Sequence, residues 1–548
     1  MAVAIAPTID FDSVFKQITD RVKDELEERL YAPLVELYDG DWNLRGACNN
    51  ENSAKFQILT NETGTAELEL PLDYYLSEWL ADVDGRGTTN VHIRMEHSGA
   101  RWTGRMAELK VVKGEDGRKV VRVLFTHDYE ELKHILVWSN PFLPAEIQFP
   151  KTWVIFGHAR WALKTTLLCQ LMRLESSLWM LPANPMDLSQ WFNFDQSTWW
   201  NVVKPDLTPD NSVGAVVHSR FKTMHDTSKR IADDAQLVWE PRRFLRGDPP
   251  PWPGANLRHG CLVWDLVDKS GWNTGTSFGG NLFEGLVREL VNIAGDGINE
   301  SVEQLDNPNI PTEYLTPGYK GTVPSMPGCV FYEGEATGIS SSEWSHKPAT
   351  VGRITGGGHS MPGINEGIEA AVNMVGDLTA MLPFTPPMGG VANAILKPLY
   401  TDVFGAFGTH ENHARIARLG KNHFLEDWAE GSDRAYTLGW VLAMRGAMYK
   451  TREINKVTLT VEDSCPYRIG GAGYGDFFLG DRVAFNVEGM PIGKLYVECV
   501  SELTLSWDRS TAPTWEIQIG QRENSDPLMK AFELWQEYVG LLRDLGVM

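Results

Sequence analysis

The chain lacks most of the features by which an enzyme or a secreted protein announces itself. Six cysteines (48, 169, 261, 329, 465 and 499) are scattered with no CxxC pair, so neither a zinc ribbon nor a disulfide framework is indicated, and reduced core thiols are expected. The start, MAVAIAPTIDFD, has no basic segment followed by an apolar one, so no signal peptide is expected. Basic charge is scarce as well. Against 72 acidic residues stand 50 basic ones, a net −22, and no basic patch of useful size occurs. Tight nucleic-acid binding is therefore not expected, although an acidic surface lets DNA pass without sticking. The longest uncharged run, Leu378–Leu396, is broken by Pro383, Pro386 and Pro387 and followed by Gly389 and Gly390, which argues against a membrane span.

Complete catalytic motifs are missing too. In GGGHSMPG (356–363), Ser360 has Gly358 two residues before it, but Pro362 stands where a nucleophile elbow needs glycine. HENH (410–413) with His423 places histidines three apart, not four, so solvated histidines are the better reading than zinc ligands. The glycine-rich GGAGYGDFFLGD (470–481) is followed by a strand pattern rather than a helix, which makes it a β-loop and not a dinucleotide cradle. Asp82 and Asp84 lack the remaining ligands of a calcium loop. No catalytic residue, cofactor or metal is assigned.

What is present is a folded protein, with 43% hydrophobic and 10% aromatic residues over 548 positions, enough for roughly three or four domains. Its centre of gravity is the stretch from His134 to Trp200, which holds seven tryptophans (138, 153, 161, 179, 191, 199, 200). Within it Leu163, Leu167, Leu171, Leu174 and Leu178 recur at helical spacing, widened by Trp161, Leu168 and Met172. A largely buried helix is expected, beginning after Gly157 and ending before Pro182.

Around it the pattern divides the chain. Residues 1–40 form an N-terminal helix or arm (Phe11, Phe15, Ile18, Val22, Leu26, Leu30) that Pro33 should break. Residues 41–155 alternate as short strands, with GEDG (114–117) as a hairpin turn. Residues 156–205 are the Trp-rich junction and 206–300 mix helix and strand, including a helix over 283–295. Residues 301–400 are a Gly/Pro-rich apolar insertion and 401–455 are helical. Residues 456–522 return to strands, and 523–548 form an amphipathic helix with Leu528, Phe532, Trp535, Val539 and Leu542 on one seam. The fold class expected is α+β and multidomain, with two small antiparallel β-barrel or sandwich domains, a helical and loop-rich middle and terminal helices.

The order of these parts carries a resemblance. KFQILTNETGTAELELPL and VHIRMEHSGARWTGRM, then HDYEELKHILVWSNPFLP, FPKTWVIFGHARWALKTTLL and Trp191–Trp200, and finally LGDRVAFNV, GKLYVECVSELTLSWDRS and WEIQIGQR resemble baseplate-hub minor tail proteins of long-tailed actinobacteriophages. Such a resemblance implies two mutually similar barrels and a homotrimer whose six barrels sit on a six-fold distal tail ring. It also implies contacts with the tape-measure protein and with other minor tail or receptor-binding proteins, and transient contact with the host envelope. The implied work is mechanical: closing the tail tube and opening it for DNA. Trp191, Trp199, Trp200, Phe532, Trp535 and Leu542 are the partner-interface candidates, since clustered aromatics at apolar positions anchor interfaces. A tail-associated cell-wall hydrolase and a carbohydrate-binding receptor protein are the rival readings.

Overall fold

The structure is a computed structural model. It describes residues 32–269, 303–305, 320, 328–358, 406–429, 444, 447, 451 and 454–520, with short gaps inside these ranges, and positions 15–17, 19, 20 and 23. The expected helices at 283–295 and 523–548, most of the N-terminal helix, Ser360 and the uncharged run 378–396 lie outside the described residues. Among the described residues no helix is long and apolar enough to cross a membrane.

In chain order the elements begin with β1 (Leu34–Asp39), β2 (Leu44–Cys48), β3 (Ser53–Leu59), β4 (Thr65–Pro71), α1 (Tyr75–Ala81), β5 (Val91–His97), β6 (Ala100–Lys113) and β7 (Lys119–His127). Then come β8 (Leu136–Val137), β9 (Trp153–His158), α2 (Ala159–Glu175), β10 (Asn201–Val203), β11 (Gly214–Ser219), β12 (Lys222–Thr223), α3 (Met224–Asp234), β13 (Leu237–Phe244) and β14 (Cys261–Asp268). After these follow β15 (Glu303–Leu305), β16 (Val330–Tyr332), β17 (Ile339–Lys347), β18 (Arg353–Gly357), β19 (Phe407–Glu411), α4 (His413–Leu419) and β20 (Asp427–Trp428). The last strands are β21 (Ile454–Glu462), β22 (Arg482–Asn486), β23 (Leu495–Asp508) and β24 (Thr514–Ile519). Two compact units result: Met1–Thr276 with Val302–Trp344 and Lys456–Gln521, and Ser277–Ser301 with Ser345–Asn455 and Arg522–Met548.

The alternating segments do become strands, but their pairing corrects one expectation. The described residues are mostly β, and none of their sheets closes into a barrel. Strands from both β regions instead join one 14-stranded sheet, in the order β17-β21-β24-β23-β3-β4-β7-β6-β5-β1-β2 with β15, β16 and β22 at its flank. The seam is the antiparallel pair β23–β3, running from Glu502 opposite Leu59 to Asp508 opposite Ser53. Alternation reveals that a strand has one buried face; it says nothing about which strand will lie beside it. The long β23 makes the join possible. Its first half pairs with β22 and β15, its second half with β24 and β3, and a register shift between Val500 and Glu502 marks the change. A single apolar core follows the sheet, from Val35, Phe56 and Trp102 to Leu503, Trp507 and Ile519.

Helix α2 starts where expected but ends at Glu175, short of Leu178, and its stripe is not buried throughout. Leu163, Leu167 and Leu171 are buried, whereas Leu174 is 37% and Trp161 46% exposed. Polar side chains complete the inner face. Lys164 is buried against Asp206 at 2.6 Å and Asp265 at 3.0 Å, and Arg173 lies 4.1 Å above the Trp138 ring while donating to the Leu136 carbonyl at 3.2 Å. Periodicity missed these because an ion pair or a cation over an indole ring lets a charged residue sit inside. The helix start has no local side-chain cap. Its free amides are met from far along the chain: Arg160 N donates to Ser212 Oγ at 3.0 Å and Trp161 N to Asp210 Oδ2 at 2.9 Å.

In the second unit β19-β18-β20 form a three-stranded sheet over Val351, Ile354, Ala429 and Met444. Within the stretch expected to be helical, residues 407–411 are thus a strand, while α4 and the described positions Met444 and Ala447 are helical. Asn412 caps it, accepting from Arg415 N at 2.9 Å, and Gly420, at φ +85°, ends it.

Candidate functional interface

Large apolar side chains exposed to solvent concentrate on the Trp-rich segment. Phe142, Ile147, Phe149, Phe156, Trp161, Leu174, Trp179, Met186, Phe192 and Phe194 are all exposed, more than in any stretch of similar length among the described residues. Exposed apolar surface of this density marks an interaction site more often than chance.

One part of it is the loop between β8 and β9, which is held by its own amides. Gln148 Oε1 accepts from Asn140 N at 2.7 Å, and Gln148 Nε2 donates to the carbonyls of Asn140, Leu143 and Pro144 at 3.0–3.1 Å. Asn140 in turn donates from Nδ2 to the Phe149 carbonyl at 2.7 Å and accepts from Phe142 N at 3.0 Å. At the base of the loop, Ser139 Oγ donates to Lys151 O and Thr152 Oγ1 to Ser219 O, each at 2.9 Å. With its polar groups turned inward, the loop presents Phe149 at 77% and Ile147 at 63% exposure.

The neighbouring β9–β11 ribbon extends the same theme. Register sets Ile155 opposite Val217 and Trp153 opposite Ser219; Trp153 Nε1 donates to Thr166 Oγ1 of α2 at 3.0 Å, so this face packs on the helix. Phe156 points to the other face and stays exposed. Gly157 is needed here: its φ is +159°, and a Cβ would lie 2.7 Å from the Trp161 ring.

Ion pairs and buried hydrogen bonds anchor this platform. Burial pushes the Asp265 carboxyl up, but Lys164 and Lys204 outweigh it and hold the group below the usual carboxylate range. Burial pushes Glu175 up, despite bonds accepted from Trp200 N at 3.0 Å and Asn201 Nδ2 at 3.1 Å.

The interface candidates fall in different places. Trp199 is only 2% exposed, with Nε1 donating to the Asn193 carbonyl at 3.1 Å, so it serves its own chain's interior. Trp200 is partly covered, with the Arg258 guanidinium 3.4 Å above its ring and the Tyr38–Trp42–Leu245 cluster beside it. Trp191 is half-buried, its Nε1 donating to Pro185 O at 3.1 Å. Phe532, Trp535 and Leu542 lie outside the described residues. Sequence reasoning passed over Phe142, Ile147 and Phe149. The available signal was an apolar residue flanking each of several prolines in a loop carrying Asn and Gln.

The chemical candidates are not gathered. His410 lies within a strand while His413 opens α4 and is exposed, so the two do not share a helix face. His423 Nδ1 lies 2.7 Å from Gly420 O. Asp82 Oδ1 accepts from Gly85 N at 3.0 Å in a local turn. Among the described residues no group of three metal-ligating side chains occurs.

The chain matches the family described as Siphovirus ReqiPepy6 Gp37-like protein over residues 34–521. Minor tail protein Gp28 of Mycobacterium phage L5 is 40% identical over 574 residues, covering 95% of this chain and 96% of its own. Minor tail protein Gp28 of Mycobacterium phage D29 is 39% identical over 589 residues, covering 98% of each. Among solved structures, the 43 kDa tail protein of prophage MuSo2 from Shewanella oneidensis aligns with 90% of this chain and 100% of its own at 9% identity; its TM-score of 0.38 is too low to bear on function. Near-complete coverage at such identity leaves one conclusion: the chain belongs to the Siphovirus ReqiPepy6 Gp37-like family, alongside the minor tail proteins of mycobacteriophages L5 and D29.

Proposed function

We propose that this chain is a structural, non-enzymatic component of the phage virion, built into the distal tip of the tail. The observation that carries the reading is the 39–40% identity, over nearly the full length, with proteins named minor tail proteins. The Asn140–Gln148 loop supports it, because a preformed apolar surface suits permanent assembly: little ordering entropy remains to be lost on docking. In this reading the chain is a homotrimer that joins the distal tail ring, touches the end of the tape-measure protein and carries receptor-binding parts. It closes the tube until contact with the host envelope opens it. The net charge of −22 suits a surface past which DNA slides without binding.

Assembly provides the test. Ile147→Asp with Phe149→Asp replaces two exposed side chains, so the isolated protein should keep its stability to within about 0.5 kcal/mol. Virions complemented with this variant should lack the chain and fail to infect. Normal incorporation and infectivity would count against this surface as a tail contact. In this reading the Gly/Pro-rich insertion lines or plugs the axis of the tube, so removing 360–398 should preserve assembly of the β core and abolish infectivity. Unchanged infectivity would remove that insertion from the opening step.

A further inference from the structure

Within the first unit, a cavity of about 160 Å³ opens between β13, the Pro249–Pro251 turn and the glycine-rich loop at Tyr474. Its charges are nearly all paired. Arg101 holds both oxygens of Asp248, at 2.6 and 2.8 Å. Asp128 is engaged by Arg243 at 2.8 Å, and Asp265 by Lys164 and Lys204 at 3.0 and 2.8 Å. Lys269 lies between Asp481 at 2.9 Å and Glu240 at 3.5 Å.

Arg242 is the exception. Its guanidinium lies 4.1 Å over the Tyr474 ring, half-buried on the cavity wall, and among the described residues it has neither a carboxylate partner nor a hydrogen bond. Burial and the neighbouring Arg101 push it down to about 10, outweighing the Asp248 carboxylate, which Arg101 already holds. A ring fixes one face of the guanidinium and leaves its N–H edge open, the edge that grips a planar oxyanion with two parallel bonds.

We propose that this cavity is a carboxylate-binding pocket in which Arg242 receives the anion and Tyr474 holds the guanidinium in place. A phosphate fits less well. Asp248, Asp265 and Glu240 also line the cavity and would repel a dianion more than a single negative charge. The occupant is a carboxylate of a protein segment, either an acidic side chain or a chain terminus. This goes beyond the structural role proposed above and does not depend on it.

The test uses the purified full-length chain and the Arg242 Nε–H resonance. Three probes are titrated: N-acetylglutamate α-amide, in which only the side-chain carboxylate is free, N-acetylglycine with its terminal carboxylate free, and inorganic phosphate. Saturable shifts in the millimolar range are expected with one or both carboxylates and not with phosphate. The first two probes tell a side chain from a terminus. The same titration followed through the Tyr474 ring resonances should weaken roughly tenfold or more in Arg242→Gln. Should that variant fail to fold, Tyr474→Leu, which removes only the stacking partner, should weaken the shift of Arg242 Nε–H. Overturning results are the absence of saturation by either carboxylate, tighter binding of phosphate, or carboxylate binding undiminished in a folded variant.

Discussion

At the scale of single residues, the interior is held by charges and histidines that composition alone does not reveal. His92 and His127 are both buried, and burial holds each imidazole down at about 4. In the unfolded chain they protonate near 6.5. Because the folded value is the lower one, the unfolded state binds more protons between these limits. The contribution of these two histidines to stability is therefore level above about pH 6.5, declines as pH falls towards 4, and loses on the order of 3 kcal/mol per histidine across that window. His92→Phe keeps the ring stacked on Trp42, now 4.7 Å away, and removes one titration. Denaturant unfolding at several pH values should show a shallower decline than the parent, and an identical slope would contradict this assignment. Arg243 makes a stronger case. It meets both oxygens of buried Asp128 at 2.8 and 3.0 Å, while Thr103 Oγ1 donates to the same carboxylate at 2.5 Å. Arg243→Met leaves that carboxylate buried without its cation and should cost about 3–5 kcal/mol in chemical denaturation, whereas adding Asp128→Leu should recover a large part.

Residue-scale legibility was uneven for a physical reason. Cysteine usage anticipated core positions, and Cys48, Cys261 and Cys329 are buried while Cys169 and Cys499 are partly covered. Tryptophan was less transparent, because burial of an indole depends on what arrives from elsewhere in the chain. Trp199 went inside, while Trp161 and Trp179 stayed exposed, although all three sit in equally apolar sequence.

Among elements, the loop of residues 140–149 shows how two amides shape an apolar surface. Gln148→Ala removes four hydrogen bonds at once and should loosen the loop locally by about 1–3 kcal/mol. Hydrogen exchange should rise over 140–149 while the core strands stay protected; unaltered exchange there would show that the clasp does not hold the loop. Strands β3 to β7 and β21 to β24 were legible from alternation and turn residues, as was α2 from its leucines. Strands β1 and β17 to β19 were not. The first begins directly after Pro33, inside what read as the end of an arm. The others consist largely of Gly, Ser, Thr and His, which leaves no apolar alternation to read.

For the molecule as a whole, the lesson is that two β regions separated by hundreds of residues share one sheet and one core. Trp507 of β23 stacks on Phe56 of β3 with centroids 5.6 Å apart. Trp507→Ala should therefore destabilise strands from both β regions together, by about 3–5 kcal/mol, with hydrogen-exchange protection falling alike in β3–β7 and β21–β24. A fall confined to one of the two sets would mean two independent domains. Sequence order and alternation could not show this join, since register between distant strands is settled only by packing.

The reading of the chain as part of the tail tip is tested most directly on intact particles. Gold-labelled antibody raised against the chain, bound to purified virions and viewed by electron microscopy, should decorate the distal end of the tail and nothing else. Label along the shaft, on the capsid, or absent from virions altogether would contradict that reading.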